Sequence, residues 1–428
     1  MAHRINRPSR GLASSIERLL GSGLGEREPR VQGWTSVAVA VVWLFQAFSR
    51  GASLEERFEN ARRWVQALVP RAKRRTTYQG FVKALRRSPL VPEWIATAFR
   101  ERLREWSGPA FRVAGWVPLA MDGTRFECPR SRSCQKRIGV VARAKAAPQL
   151  VLVSLWHLGV HAWFDFRVAS ARVGERTLGR DLSNGLPPRT LLVGDAGFVG
   201  YDFCEELAGR GVSFLLRVGA NVTLLSELGE RNSVRPGVVH LWPGNKRRCR
   251  PLALRLLVVG RGKKTVYLAT NVLDPFALSK KQAATFYRQR WGTETAYRSM
   301  KQTLGRRTLR SRAADLTKLE LAGIVLGHWA LALLALKARG AKSATLGWST
   351  ATAAALVHTA LTEEMTRAAW HDAWRRVLLA PTKRRGLKKR RQEWAKAKHD
   401  PPCGAPTIRP ANRSELAALK RLAAESVS

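Results

Sequence analysis

Three acids in this chain of 428 residues stand where their type and surroundings could support chemistry. Asp122 closes the apolar run "VPLAMD" before "GT", and Asp195 closes "LLVGD" before "AGF". Glu294 is the single acid of "YRQRWGTETAYRSMK", residues 287–301. Ligands of open α/β sheets gather beyond the carboxyl ends of strands, so two aspartates at the ends of neighbouring strands converge on one point. Carboxylates that close repel each other unless a divalent cation lies between them. With a third carboxylate delivered from a helix, the set offers hard oxygen donors that suit Mg2+ or Mn2+ and leave coordination positions for water and a phosphate oxygen. Two such ions about 3.5–4 Å apart can activate a water and stabilise the leaving oxygen of an in-line phosphoryl displacement. Each acid also has a plainer reading. Asp in "DGT" or "GDAG" is an ordinary turn former, and an acid among cations fits an exposed, ion-paired helix. Their joint occurrence at matched strand ends in a strongly basic chain favours the metal site.

The elements that must position these acids follow from the pattern. "RVAGWVPLAMDGT" reads as a strand ending at Asp122. Short Val- and Leu-rich runs follow at 137–145, 149–158 and 162–170, then a helix over "RVGERTLGRDLSNG" with Gly185 near its end. "LLVGD" is a buried strand that turns through glycine into the helix "YDFCEELAGR", and "VSFLLRV" (212–218) is the next strand. Residues 219–274 hold short β-like runs with turns at Pro236-Gly237 and Pro243-Gly244. A helix then starts near Ser279. On it Tyr287, Arg290, Glu294 and Lys301 fall at offsets 0, 3, 7 and 14, which lie along one stripe at 3.6 residues per turn.

Around this core, residues 13–106 have helical periodicity and a basic balance, and a second helical region runs to about 380. Lys383–Lys398 carries nine basic residues against one acid, and the prolines of 400–412 mark a flexible segment. The division predicted is a helical basic domain at 1–111, a first core segment at 112–218, a β-rich insertion at 219–274, the remaining core with following helices at 275–380, and a basic tail or helix at 381–428.

Lys plus Arg number 75 and Asp plus Glu 31, a formal net charge of +44. Such a charge calls for a polyanionic partner, with nucleic acid ahead of an anionic membrane surface. A hydrophobic fraction of 45% and 15 Trp argue against a disordered basic tail and for two or three domains with proper cores. Residues 37–48 are too short to span a bilayer. Residues 319–338 are long enough, but Glu320 and His328 interrupt them, so both stretches read as buried helices and no membrane partner is expected. The first twenty residues lack an apolar signal core. Five cysteines at 128, 134, 204, 249 and 403, without a CxxC pair, read as ordinary thiols of a reducing cytoplasm.

The spacing Tyr-x2-Arg-x3-Glu-x6-Lys, met by Tyr287, Arg290, Glu294 and Lys301, resembles the signature of insertion-sequence-four transposases. These belong to the DDE superfamily, whose catalytic core is ribonuclease H-like. "DGT" at 122 and "GDAGF" at 194 resemble the two aspartate motifs, and 219–274 resembles the insertion domain carried between the second aspartate and the glutamate. The likeness covers roughly residues 112–340. It implies an α/β fold with a ribonuclease H-like core, a β-rich insertion and flanking helical regions. It implies Asp122, Asp195 and Glu294 as catalytic ligands of two Mg2+ or Mn2+ ions. Tyr287, Arg290 and Lys301 would hold phosphates near the scissile bond, with Trp291 also in the DNA-contacting set. Some relatives stack a flipped base on an aromatic in the strand before the glutamate helix; Tyr267, and after it Trp242, is the candidate here. The implied activity is nicking of double-stranded DNA at the terminal inverted repeats and strand transfer into target DNA, with or without a hairpin intermediate. A homodimer in the synaptic complex and a cytoplasmic, nucleoid-associated location go with it.

Two other classes remain open on the residues. A nuclease would use the same two-metal chemistry, since the acids do not say whether water or a hydroxyl attacks. A non-catalytic DNA-binding protein would need none of them. A phosphate-binding loop is poorly supported, because "GSGLG" at 21–25 follows a helical run and no GKS or GKT follows it.

Overall fold

A computed structural model of the protein describes residues 10–21, 34–49, 51–68, 77–140, 146–228, 237–262, 265–340, 347–362, 365–379 and 404–425. Helices α1 (Arg10–Leu20), α2 (Ser36–Gln46), α3 (Leu54–Leu68), α4 (Tyr78–Arg87) and α5 (Val91–Ser107) come first. Strand β1 (Val117–Glu127) and the short helix α6 (Arg132–Arg137) lead to β2 (Gln149–His157) and β3 (Ala162–Ser170). Helix α7 (Glu175–Leu182), β4 (Thr190–Gly194), α8 (Tyr201–Gly209) and β5 (Ser213–Val218) follow. Next are β6 (Thr223–Leu225), β7 (Val238–Leu241), β8 (Leu252–Val259) and β9 (Val266–Thr270). Helices α9 (Lys280–Gln289), α10 (Trp291–Arg298), α11 (Ala314–Arg339), α12 (Thr350–Thr362) and α13 (Arg367–Leu379) precede β10 (Thr407–Arg409) and α14 (Arg413–Glu425). This is a mixed α/β architecture with one large sheet and flanking helices, as the resemblance implies at that level. The chain divides into two compact units.

The first unit comprises Met1–Phe111, Gly123–Gly174 and Gly292–Lys383. Its centre is α11, apolar on every face and buried along most of its 26 residues, which packs on α2, α5, α12, α13 and β3. By length and composition α11 could cross a membrane, yet 83% of its apolar window is buried inside the protein. An all-apolar helix needs such a surround. Helix α2 is apolar all round as well, with Ala38–Phe45 buried, and Thr35 caps its start by accepting from the Ala38 amide. Glycines on α11 let α2 approach: a Cβ at Gly323 would lie 2.5 Å from Trp43 Nε1, and one at Gly327 would lie 2.4 Å from Ala47 Cβ. Cys128 and Cys134 are buried free thiols, and burial pushes the Cys128 thiol up to about 12, which leaves it inert.

Two histidines of this unit are fully buried. His157 Nε2 donates to the Phe111 carbonyl at 3.0 Å, while its Nδ1 accepts from the Gly159 amide at 3.2 Å. His328 Nδ1 accepts from Trp163 Nε1 at 2.9 Å, so the neutral ring carries its proton on Nε2 toward Thr350 Oγ1 at 3.3 Å. Protonating either ring places a charge in the core and removes an acceptor in use. Burial accordingly pushes His157 down to about 4 and His328 down to about 3, from an ordinary 6.5. Between those values and 6.5 the unfolded chain binds more protons than the folded one, so stability is complete above 6.5 and falls with pH. With both rings titrating the loss approaches about 2–3 kcal/mol per pH unit below 6.5. Thermal unfolding between pH 7.5 and 5 should show this fall, and His328→Gln should flatten it.

The second unit comprises Arg112–Asp122, Glu175–Trp291 and Arg384–Ser428. Its strands run in the order β10-β6-β7-β8-β9-β5-β4-β1. The last three are parallel, with Val117↔Thr190 to Met121↔Gly194 joining β1 to β4 and Leu191↔Ser213 to Gly194↔Leu216 joining β4 to β5. All of β4 is buried, as continuous apolar runs in parallel sheets are. β9 pairs antiparallel with both β5 and β8. Helix α9 opens on a capping box between Ser279 and Gln282, which satisfies the first free amides and fixes where the helix starts.

Some sequence expectations change. β1 does not end at Asp122 but continues to Glu127; only its parallel pairing with β4 stops at Met121. The run at 137–145 is no strand through its described part: Arg137 closes α6, and 141–145 lie outside the described residues. The segment predicted flexible at 400–412 contains β10, which pairs in parallel with β6. There Glu415, 3% exposed, takes the Arg409 guanidinium on both oxygens at 2.8 Å, and that pairing pulls its carboxyl down to about 2. The basic run Lys383–Lys398 lies outside the described residues.

Candidate active site

Asp122 and Asp195 directly follow the final parallel pair, Met121↔Gly194, so the register of two buried strands sets their carboxylates side by side. Both face the guanidinium of Arg290, whose Nη1 lies 3.7 Å from Asp122 Oδ2 and whose Nη2 lies 3.8 Å from Asp195 Oδ2. Arg217 Nη1 reaches Asp195 Oδ1 at 3.8 Å, and the Tyr287 hydroxyl donates to that same oxygen at 3.1 Å. Arg290 and Tyr287 are buried, whereas the Asp122 and Asp195 side chains keep 18% and 28% of their surface. Burial first, and then the Asp195 charge, push the Tyr287 phenol up to about 12, so it remains a proton donor across the neutral range. The Arg290 guanidinium also faces the rings of Tyr287 and Trp291 at 5.5 and 5.7 Å. Trp291 is 57% exposed, an uncommon state for so large an apolar side chain.

The chain leaves this unit after Asp122 and again after Trp291, so Glu294 and Lys301 belong to the other one. The single helical stripe expected over 287–301 is not formed as one element. Helix α9 ends at Gln289, Arg290 is the joint, α10 runs from Trp291, and Ser299–Thr303 is a π turn. Glu294 occupies the first turn of α10 and is half-buried. Lys301, within the π turn, donates through Nζ to Thr124 Oγ1 at 2.7 Å and lies 4.8 Å from the Phe126 ring centre. Desolvation, and then Arg307, lower its ammonium pKa. π turns are frequent at functional sites because they re-aim a side chain.

Among the described residues no group of three or more His, Cys, Asp and Glu side chains is gathered closely enough to hold a metal ion. The aspartate pair nevertheless fits a divalent cation. Two part-exposed carboxylates directly follow the last parallel pair of β1 and β4 and already turn toward one positive group. Tyr267 is half-buried on β9, opposite Val218 and Val258. Trp242 is 2% exposed, and its indole nitrogen is spent on the Lys246 and Cys249 carbonyls, so it is not open to a base. Sequence reasoning passed over Arg217. Its signal was a lone cation inside the apolar strand "SFLLRV".

Residues 117–329, just under half of the chain, match the family described as Transposase DDE domain. The chain is 26% identical over 258 residues to transposase InsG for insertion sequence element IS4 of Escherichia coli strain K12. That match covers 56% of this chain and 58% of the relative, a little over half the length of each. A solved structure of piggyBac transposase in a synaptic complex with hairpin DNA superposes with a TM-score of 0.42 at 12% identity, covering 89% of this chain and 80% of that one.

Proposed function

We propose that this protein cleaves the ends of a mobile DNA element and joins the freed strands to a target by metal-dependent phosphoryl transfer. The observation that carries the reading is the Asp122–Asp195 pair, aligned by strand register and faced by Arg290, within the span that matches a DDE transposase domain. Asp122, Asp195 and Glu294 would hold Mg2+ or Mn2+. When bound, the ions supply the charge that activates the attacking oxygen and stabilises the leaving one. The chain's own groups do the rest. Tyr287 holds one Asp195 oxygen by its hydrogen bond and so fixes which way the carboxylate points. Arg290 balances the paired negative charge and offers a planar fork to a phosphate. Trp291 offers an exposed face for an unstacked base. Lys301 brings a desolvated cation to the start of the site strand's second half. The partners are double-stranded DNA bearing the terminal inverted repeats, target DNA, and a second copy of the chain in the synaptic complex, all in the cytoplasm.

The test is incubation with Mg2+ and a plasmid carrying the native element between its own ends. Excision with new insertions supports transposition, and a hairpin product reads as a doubled strand on a denaturing gel. Nicking without insertion indicates a nuclease, and binding without cleavage indicates a non-catalytic DNA-binding protein. Arg290→Ala should lower cleavage on the order of 100-fold, as loss of one preorganised charge does, with Arg290→Lys recovering part of it. Equal rates for Arg290→Ala and the parent would remove Arg290 from the site.

A further inference from the structure

Helix α10 carries Glu294 but has only eight residues, too few to hold their place through helix propensity. Packing has to fix it, and the first unit supplies three contacts for that purpose. The Tyr297 hydroxyl and Ser154 Oγ form a 2.7 Å hydrogen bond, with Tyr297 at 5% exposure and Ser154 at 0%. The Tyr297 ring lies against Trp163, centroids 5.5 Å apart and planes 32° apart. Trp163 in turn is tied through its indole nitrogen to His328 on α11. At the other end of the helix, the backbone at Gly292 presses on β2 so closely that a Cβ there would lie 2.9 Å from Trp156 Nε1. Thr293 between these points is completely buried.

We propose that Tyr297 and Ser154 are positioning residues for Glu294, with their buried hydrogen bond setting the rotation of α10 that presents the carboxylate. This rests on the reading of Glu294 as a catalytic ligand. Glu294 and Tyr297 are three residues apart and so adjacent along the helix surface. A turn of α10 that breaks the bond to Ser154 therefore displaces the carboxylate. A displacement near 1 Å is enough to cost about 100-fold in a site that depends on alignment. Gly292 permits this seating, because a Cβ there would meet Trp156 Nε1 at 2.9 Å and lift the helix start away from β2.

Tyr297→Phe keeps the ring and its contact with Trp163 while removing the hydroxyl, and Ser154→Ala removes the partner. In the full chain, each should lower cleavage of element ends by about 10- to 100-fold while affinity for end DNA stays unchanged. Each should also weaken Mn2+ binding several-fold by calorimetry, a readout that loss of packing alone does not move. The double variant should match the singles, because both remove one bond. Two results overturn the inference: parental cleavage and Mn2+ affinity in both folded singles, or losses that multiply in the double. Glu294→Gln separates this failure from failure of the functional reading. If it cleaves normally, the role of Glu294 is wrong. If it is inactive while Tyr297→Phe and Ser154→Ala behave as the parent, the positioning role alone is wrong.

Discussion

Asp195→Asn is expected to yield a folded protein that has lost cleavage of element ends by several orders of magnitude, and Asp122→Asn should behave alike. The side chains follow the last register pair of two buried strands, so their position depends on Met121, Gly194 and the sheet rather than on the carboxylates themselves. Asparagine keeps the shape, and its amide oxygen can still accept from the Tyr287 hydroxyl that Asp195 now receives at 3.1 Å. What disappears is charge. One carboxylate gone relieves repulsion within the pair but leaves the buried Arg290 guanidinium less compensated, so the two effects on stability oppose each other. Net stability should change by no more than about 1 kcal/mol at these part-exposed groups. On the proposed reading both negative charges hold the metal, so the loss of cleavage is large. The double substitution should cost little beyond either single one, since residues that act as a unit are not additive. The measurement is the single-turnover rate on labelled end DNA, alongside a melting curve. Losses that multiply in the double variant, or a parental rate in either single one, would return Asp122 and Asp195 to turn formers.

Much of the arrangement was legible because parallel strands advertise themselves. Buried runs such as "TLLVG" are apolar throughout, and a following "D" then stands at the ligand-binding end of the sheet. The limits of β3 and the capped start of α9 were equally readable, since alternation and capping are local signals. What stayed hidden depends on partners distant in sequence. β10 looks like a proline-marked linker until Arg409 and Arg247 meet Glu415 and the strand pairs with β6. The continuation of β1 past Asp122 was masked by "DGT", whose turn propensity is overridden by tertiary context. The joint at Arg290 and the π turn at Ser299–Thr303 break a periodicity that the sequence keeps intact. Arg217 gave a signal, but only its geometry beside Asp195 gives it meaning.

Glu294→Gln should fold, bind end DNA as well as the parent or better, and fail to cleave or transfer it. Glutamine matches glutamate in size and helix propensity, so α10 is kept. The acid lies in the first turn of α10, where a negative charge favours the helix by about 0.3–1 kcal/mol, so a stability loss of that order is expected from the dipole. Contacts that seat the helix, Tyr297 on Ser154 and Gly292 on Trp156, do not involve residue 294 and survive the change. Removing a negative charge from a surface that receives phosphates strengthens binding, most clearly at low salt. A metal ligand must be ionised to serve, so if Glu294 holds the metal as proposed, losing that charge lowers cleavage by several orders of magnitude. The plain reading of Glu294, an acid ion-paired on a basic helix, makes the opposite forecast: about half a kcal/mol of stability and a full cleavage rate. The two are separated by one experiment on purified protein, in which the melting temperature establishes folding and a salt series establishes DNA binding. A full cleavage rate in that folded, DNA-binding variant would end the assignment of Glu294 to the reaction.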